Sequence, residues 1–194
     1  MKTKGMSHQL QAVQRMVGRQ TYALFMEQGT GKTWTLLADA ERLFAKGAID
    51  SVLVVAPNGV HTNWINREIP MHMEGQIIAR AWRSGAGVRH MKSLEDLFVP
   101  RKEGQPLPLR ILAVNIDALV TKKGYEFCER FLMSGLPLIL LDESSRIKNP
   151  DAARTKALMR LRRYCKGARI ASGTPVTNSP VDVFAQMEFL ESGL

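Results

Sequence analysis

Short apolar runs alternate along this 194-residue chain with segments of helical periodicity. The alternation predicts an α/β fold with a mostly parallel central sheet, because parallel strands need crossover connections and are buried on both faces. Strands are predicted at 21–25, 51–56, 76–82, 110–114, 137–141 and 169–172. Helices are predicted at 7–17, 34–44, 63–68, 91–98, 155–164 and 181–190, and a loop at 100–104.

Composition predicts one globular domain, with 45% hydrophobic residues and no linker that divides the chain. The net charge of +9 indicates either a polyanion partner, nucleic acid ahead of membrane, or a solubilising surface. The longest apolar stretches are too short to span a bilayer, and no signal peptide is recognisable, so we expect a cytoplasmic protein without membrane contact. Cys128 and Cys165 predict reduced thiols, and the four scattered histidines predict no metal site of protein ligands alone.

A glycine-rich segment follows the strand predicted at 21–25 and precedes a predicted helix. Its glycines would let the backbone approach an anion closely, and the helix would point free N–H groups and its positive dipole end at the same place. Lys32 would reach the terminal phosphates of a nucleotide, and the Thr33 hydroxyl would coordinate Mg²⁺. A glycine turn that caps a helix beside an exposed lysine is the alternative. The predicted binding residues are Met26, Glu27, Gln28, Gly29, Thr30, Gly31, Lys32 and Thr33, with Met26 standing where the strict phosphate-loop pattern has a small residue.

Two acidic residues, Asp142 and Glu143, directly follow the apolar run Leu138–Leu141. Open α/β sheets bind their ligands at the carboxyl ends of the strands. One acid would hold Mg²⁺ while its neighbour orients or deprotonates an attacking water. Alone, such a pair would more often be a solvated turn. Together with the glycine-rich segment it predicts hydrolysis of a nucleoside triphosphate, with Lys32, Asp142 and Glu143 as catalytic residues.

Six short motifs stand in a fixed order along nearly the whole chain. They are Gln9, Met26–Thr33, Val54–Pro57 with Asn63 and Trp64, Ile111–Asn115, Asp142–Asn149 and Ser172–Asn178. This set resembles superfamily-2 helicases and, more narrowly, Swi/Snf-type DNA translocases; DEAD-box RNA helicases fit less well. The resemblance implies a three-layer, RecA-like P-loop NTPase domain over residues 1–194, with ATP and Mg²⁺ as ligands and DNA, double-stranded in preference, as partner. The compact spacing suits a bacterial or phage source.

The resemblance also implies roles for individual residues. Gln9 would bind the adenine edge through its amide, with a solvated helix position as the alternative. Ser172, Gly173 and Thr174 would couple hydrolysis to nucleic-acid contact. The residues implied to contact the DNA backbone are Pro57, Asn58, Asn63 and Asn115. For Trp64, we favour core packing over base stacking.

Two departures from the family pattern matter. The family commonly has histidine where this chain has Ser145, which brings the usual contact between the ATP and nucleic-acid sites into question. Such motors also have two RecA-like domains, and 194 residues leave no room for the second. We therefore expect either a truncated form of a longer protein or a chain that needs a partner, and poor hydrolysis by the isolated domain.

A basic run between 154 and 169 contains no acidic residue. Its members are Arg154, Lys156, Arg160, Arg162, Arg163, Lys166 and Arg169. They predict either salt-sensitive nucleic-acid binding or, in preference, a solvated helix face. Two rival functions stay open: a nucleotide- or DNA-binding interaction module without motor activity, and another P-loop enzyme such as a small-molecule kinase.

Overall fold

Six strands form one parallel sheet in the computed structural model, which describes residues 1–98, 107–176 and 179–191. The strands are β1 (Thr21–Phe25), β2 (Ser51–Ala56), β3 (Ile77–Ala81), β4 (Leu109–Asn115), β5 (Pro137–Asp142) and β6 (Gly167–Ser172). The predicted loop at 100–104 and the motif residues Thr177 and Asn178 lie outside the described residues.

The strand order is β1-β6-β5-β2-β4-β3, so the last strand in the sequence lies between the first and the fifth. Every pairing is parallel, with Leu53 opposite Ile139 and Leu24 opposite Ala171. The carboxyl ends of all six strands therefore lie at one edge of the sheet. The glycine-rich segment, the acidic pair and the Ser172 motif all begin at this edge.

Helices connect the strands, as parallel neighbours require. The α-helices are α1 (Ser7–Met16), α2 (Lys32–Ala45), α3 (Val60–Asn63), α4 (Ile69–His72), α5 (Val88–Leu94), α6 (Lys122–Met133), α7 (Ala153–Arg162) and α8 (Phe184–Glu191). A π-helical turn (Trp64–Glu68) joins α3 to α4, and 3₁₀ turns lie at Glu95–Phe98, Ile116–Val120, Ser144–Ile147 and Pro180–Val183. None of the described helices combines the length and apolar character that a bilayer crossing needs.

Two apolar layers cover the sheet, which confirms the predicted three-layer α/β fold. Val52 and Val54 of β2 pack with α1, α2 and the π-helical turn. Their neighbours Leu53 and Val55 point to the other face and pack with α5, α6, α7 and α8. The alternation follows from the two-residue period of a strand, and it makes the interior strands apolar on both sides.

The structure contains one long helix that the sequence reasoning missed, α6. Its buried residues Phe127, Cys128, Phe131 and Leu132 recur at helical spacing. The Thr121 side chain caps it by accepting a hydrogen bond from the N–H of Gly124. A Cβ atom at Gly124 would lie 2.3 Å from a backbone oxygen, so close packing requires glycine in this first turn.

Candidate nucleotide-binding site

The glycine-rich segment Met26–Gly31, the candidate phosphate loop, joins the carboxyl end of β1 to the start of α2. Gly29 and Gly31 have φ values of 78° and 80°, which glycine adopts without strain. Gly31 precedes α2, and no side chain of the described residues caps this helix. The N–H groups of its first turn are therefore available to an anion, and phosphate binding there stays a prediction.

The Lys32 ammonium lies against the phosphate loop itself. Its Nζ donates to the carbonyl oxygens of Met26 and Glu27, at 3.2 Å each. The loop after β6 approaches from the other side, because a Cβ atom on Gly173 would lie 3.5 Å from Nζ. The two loops are also joined where Met26 N–H donates to the Ser172 carbonyl at 3.2 Å.

Gln9 supports the phosphate loop from α1. Its Nε2 donates to the Thr30 carbonyl at 3.0 Å, and its Oε1 accepts from the Met6 N–H at 2.9 Å. The side chain is buried, so the solvated-helix alternative is wrong. These bonds leave the amide one further N–H, and its predicted adenine contact stays a prediction.

Asp142 ends β5, and the residue is 8% exposed. Trp64 Nε1 donates to its Oδ2 at 3.0 Å across 78 residues of sequence. Burial raises the pKa of Asp142 above its ordinary value, and the negative charge of Glu143 adds to this effect. The hydrogen bonds from Trp64 and the Glu143 N–H and the positive charge of Lys32 oppose it. A desolvated carboxylate with few donors is the kind of group that a divalent cation stabilises.

Trp64 packs in the core, as favoured from the sequence, and is 1% exposed. Its hydrogen bond to Asp142 is a second role that the sequence reasoning missed. A polar indole N–H on a buried residue usually finds a partner. That general rule predicts a bond but not which acceptor receives it.

Glu143 has a left-handed backbone, with φ of 56° and ψ of 60°. It is the one non-glycine residue with positive φ in the described ranges. Such a conformation in a residue with a Cβ costs roughly 1–2 kcal/mol and is commonly held by its surroundings at functional sites. Ser172 Oγ donates a hydrogen bond to Glu143 Oε2 at 3.4 Å. The same Oγ accepts a hydrogen bond from the Thr174 N–H at 3.1 Å.

The residues implied to contact nucleic acid lie farther along the same edge. Ala56 is opposite Asn115 in the β2–β4 pairing, so Pro57 and Asn115 leave the sheet side by side. Asn58 and Asn63 are exposed. Asn115 has a structural task, because its Oδ1 accepts from the Ala118 N–H at 2.6 Å and caps the following turn.

The basic run is not one uniform surface, contrary to both interpretations of the sequence. Arg162 and Arg169 are 1% exposed. Arg162 donates to the Cys165 and Leu190 carbonyls. Arg169 pairs with Asp39 at 2.8 Å. Both hold elements of the fold together. Arg154 and Lys156 form ion pairs with Asp117 and Asp151. Arg160, Arg163 and Lys166 are exposed.

The residues that could offer oxygen ligands to a metal are Thr33, in the first turn of α2, and Asp142, at the end of β5. No cluster of three or more histidine, cysteine or acidic side chains occurs in the described part of the chain. A site with so few protein ligands suits Mg²⁺, which is usually held by one or two carboxylates together with substrate phosphates and water.

The free cysteines Cys128 and Cys165 are buried, and burial raises the pKa of each thiol to about 12.

A parallel sheet with a phosphate loop after its first strand and an acidic pair after its fifth defines a RecA-like α/β domain. Residues 8–194 match the family model described as the SNF2-related domain, and the chain belongs to this family. The Sulfolobus solfataricus SWI2/SNF2 ATPase core in complex with dsDNA has the same fold, with a TM-score of 0.72 at 20% identity over the whole chain and 37% of that protein. The nuclease-deletion mutant of the Type ISP restriction-modification enzyme LlaGI, in complex with a DNA substrate mimic, matches with a TM-score of 0.65 at 19% identity over 90% of this chain and 18% of that one.

Two animal proteins called DNA repair and recombination protein RAD54-like are similar in sequence. The mouse protein is 29% identical over 178 residues, which cover 87% of this chain and 22% of that protein. The human protein is 28% identical over the same length and the same shares. The chain thus spans about a fifth of the length of these relatives.

Proposed function

We propose that this chain binds Mg-ATP and hydrolyses it to drive movement on DNA, as the N-terminal half of a two-domain translocase or helicase. The observation that carries the proposal is the convergence of three groups at one edge of the sheet. The Lys32 ammonium comes from the connection after β1, and the Asp142 and Glu143 carboxylates come from the end of β5. The loop after β6 contacts both segments through Ser172 and Gly173. Membership of the SNF2-related family supports the same function.

Each group has a task in phosphoryl transfer. The N–H groups at the start of α2 and Lys32 stabilise negative charge on the transferring phosphoryl group. Glu143 orients the attacking water or accepts its proton, and Asp142 and Thr33 offer oxygen ligands to the metal. Bound Mg²⁺ would neutralise charge on the phosphate oxygens. Trp64 keeps the Asp142 carboxylate in one orientation.

We further propose that residues 1–194 make up one RecA-like domain and that a second one completes the site, in cis or in trans. The short span of this chain against its relatives supports this arrangement. Such a domain would supply arginine fingers, whose loss costs roughly 10³–10⁵ in rate. The isolated chain should bind nucleotide and hydrolyse it poorly, and a turnover near one per second without a partner would contradict this.

The direct test is Lys32→Ala, measured by titration with a fluorescent ATP analogue and Mg²⁺. Loss of a charge-assisted bond to phosphate should weaken binding by roughly 10- to 150-fold, since such bonds contribute about 1.5–3 kcal/mol. Lys46→Ala is the matched control, because Lys46 is exposed at the other end of the same helix. Equal affinities of the two variants would contradict the proposed phosphate site.

A second measurement separates a motor from an interaction module. Double-stranded DNA is added to the chain together with a second RecA-like domain, and ATP turnover is followed. A motor shows DNA-stimulated hydrolysis that disappears in Glu143→Gln. A binding module retains nucleotide and DNA without any stimulation.

A further inference from the structure

A buried glutamine on α8, Gln186, joins the segment after β5 to the segment after β6. Ser144 Oγ donates to its Oε1 at 2.6 Å. Its Nε2 donates to the Pro175 carbonyl at 2.8 Å and to the Asp182 carbonyl at 2.9 Å. One amide thus contacts the residue after Glu143 and the residue after Thr174.

This link has little freedom to rearrange. Ser144 and Gln186 have no exposed surface. Both N–H groups of the Gln186 amide and its oxygen are engaged, and an unpaired buried polar atom would be costly. A polar group buried and satisfied in this way specifies one arrangement of its neighbours. Displacement of the Pro175 carbonyl must therefore move the amide or break its bonds.

The hydrogen bonds of Gln186 restrain the chain next to Glu143, the residue of the acidic pair that has a left-handed backbone. Ser144 follows Glu143 directly, and its hydrogen bond fixes the chain just beyond the positive-φ position. A second route runs from Thr174 N–H through Ser172 Oγ to Glu143 Oε2. Together the two routes hold Glu143 from its backbone side and from its carboxylate side.

We propose that Gln186 is a positioning residue that couples the loop after β6 to Glu143, so that contacts made by this loop set the orientation of the water-activating carboxylate. The inference rests on the proposed ATPase function. Thr174 is an exposed residue of the coupled loop, where DNA or a second domain can contact it. The link runs through Ser144. It is therefore separate from position 145, where this chain has serine and the family pattern has histidine.

The test uses Ser144→Ala and Gln186→Met in the protein with a second RecA-like domain present. Ser144→Ala removes a single donor with little change in volume, and Gln186→Met removes the whole link at similar volume. DNA-stimulated turnover should fall by about tenfold in both, in the range of common coupling energies, while affinity for Mg-ATP in the absence of DNA stays unchanged. The double variant should lose no more than Gln186→Met alone, because both changes break the same link.

Ser51→Ala is the matched control. Ser51 is also fully buried and donates a single side-chain bond, to Asp50 Oδ1 at 2.9 Å, at the opposite edge of the sheet. It should lose a similar amount of thermal stability and keep full DNA stimulation. The inference is overturned if Ser144→Ala and Gln186→Met keep wild-type stimulation, or if Ser51→Ala loses it equally. Absence of stimulation in the unsubstituted protein would overturn the proposed function itself, and this inference with it.

Discussion

Two buried aspartates at opposite edges of the sheet have opposite electrostatic environments. Asp50, just before β2, is buried, which by itself raises its pKa, but hydrogen bonds from Leu136 N–H, Ser51 and Arg110 bring the pKa below its ordinary value. Asp142, at the end of β5, has a raised pKa because burial and the charge of Glu143 outweigh the hydrogen bonds from Trp64 and the Glu143 N–H and the charge of Lys32. The hydrogen bonds and charge around Asp50 more than offset its burial, whereas those around Asp142 do not.

The same contrast in charge pairing extends along both edges of the sheet. The amino edge is the one where the strands begin, and the carboxyl edge is the one where they end. At the amino edge, Arg110 pairs with Asp50 at 2.9 Å, and Arg169 pairs with Asp39 while it donates to the Arg19 and Gln20 carbonyls. At the carboxyl edge, Lys32 Nζ donates its hydrogen bonds to the Met26 and Glu27 carbonyls, and Glu143 has a strained backbone. The amino edge thus pairs its charges within the fold, whereas the carboxyl edge pairs them less fully, which is the pattern expected where a ligand site is kept at some cost in stability.

The largest expected effect is on catalysis at the carboxyl edge. Glu143→Gln keeps the size and hydrogen-bonding oxygen of the side chain but removes its basicity. DNA-stimulated hydrolysis in the completed motor should fall by about 10²–10⁴-fold, the usual contribution of general base catalysis. Nucleotide affinity and the thermal midpoint should stay near wild type. Hydrolysis that survives the change would assign water activation to another group.

A smaller effect, on stability, is expected at the amino edge. Asp50→Asn keeps an acceptor but removes the charge opposite Arg110, and should cost about 2 kcal/mol in the free energy of unfolding at neutral pH. Because the pKa of Asp50 is lowered in the folded state, its stabilisation is present above the ordinary value of 3.8 and is lost as pH falls through the folded value. The gap between variant and wild type should close below about pH 4 in urea titrations. A gap that does not change with pH would mean that packing, not charge, is lost.

The smallest effect has the opposite sign. Asp142→Asn should stabilise the nucleotide-free protein by about 0.5–2 kcal/mol, as is common when a functional group is relieved of an unfavourable environment. The raised pKa means that the carboxylate's penalty is absent below 3.8, appears as pH rises through the folded pKa, and is complete above it. Thermal melts without Mg²⁺ should therefore diverge from wild type with rising pH. Destabilisation at neutral pH would remove the contrast between the two edges.

Much of the fold follows from the sequence, because strand and helix periods differ. The predicted strands at 21–25 and 51–56 match β1 and β2 residue for residue, and the other four strands were placed with bounds shifted by at most two residues. Helix α6 was missed although Thr121 and the spacing of Phe127 and Phe131 give a recognisable signal. The need for a crossover between β4 and β5 also predicts a helix there.

The candidate site was predictable in its local parts and not in its long-range contacts. The glycines of the phosphate loop and the acids after β5 follow from local rules about φ angles and strand ends. The bond from Trp64 to Asp142 spans 78 residues and that from Ser144 to Gln186 spans 42, so neither leaves a local pattern. The burial of Arg162 and Arg169 depends likewise on which carbonyls and acids the fold brings to them.

The strand order has a consequence for how the protein acquires its site during synthesis. β1 carries the phosphate loop at its end, and its sole strand neighbour in the described sheet is β6, with Thr21 opposite Ala168. A nascent chain shorter than about 170 residues has the loop but no strand beside β1 to anchor it. Affinity for nucleotide should therefore arise only after residue 172 has been made, when β6 enters between β1 and the more recently made β5.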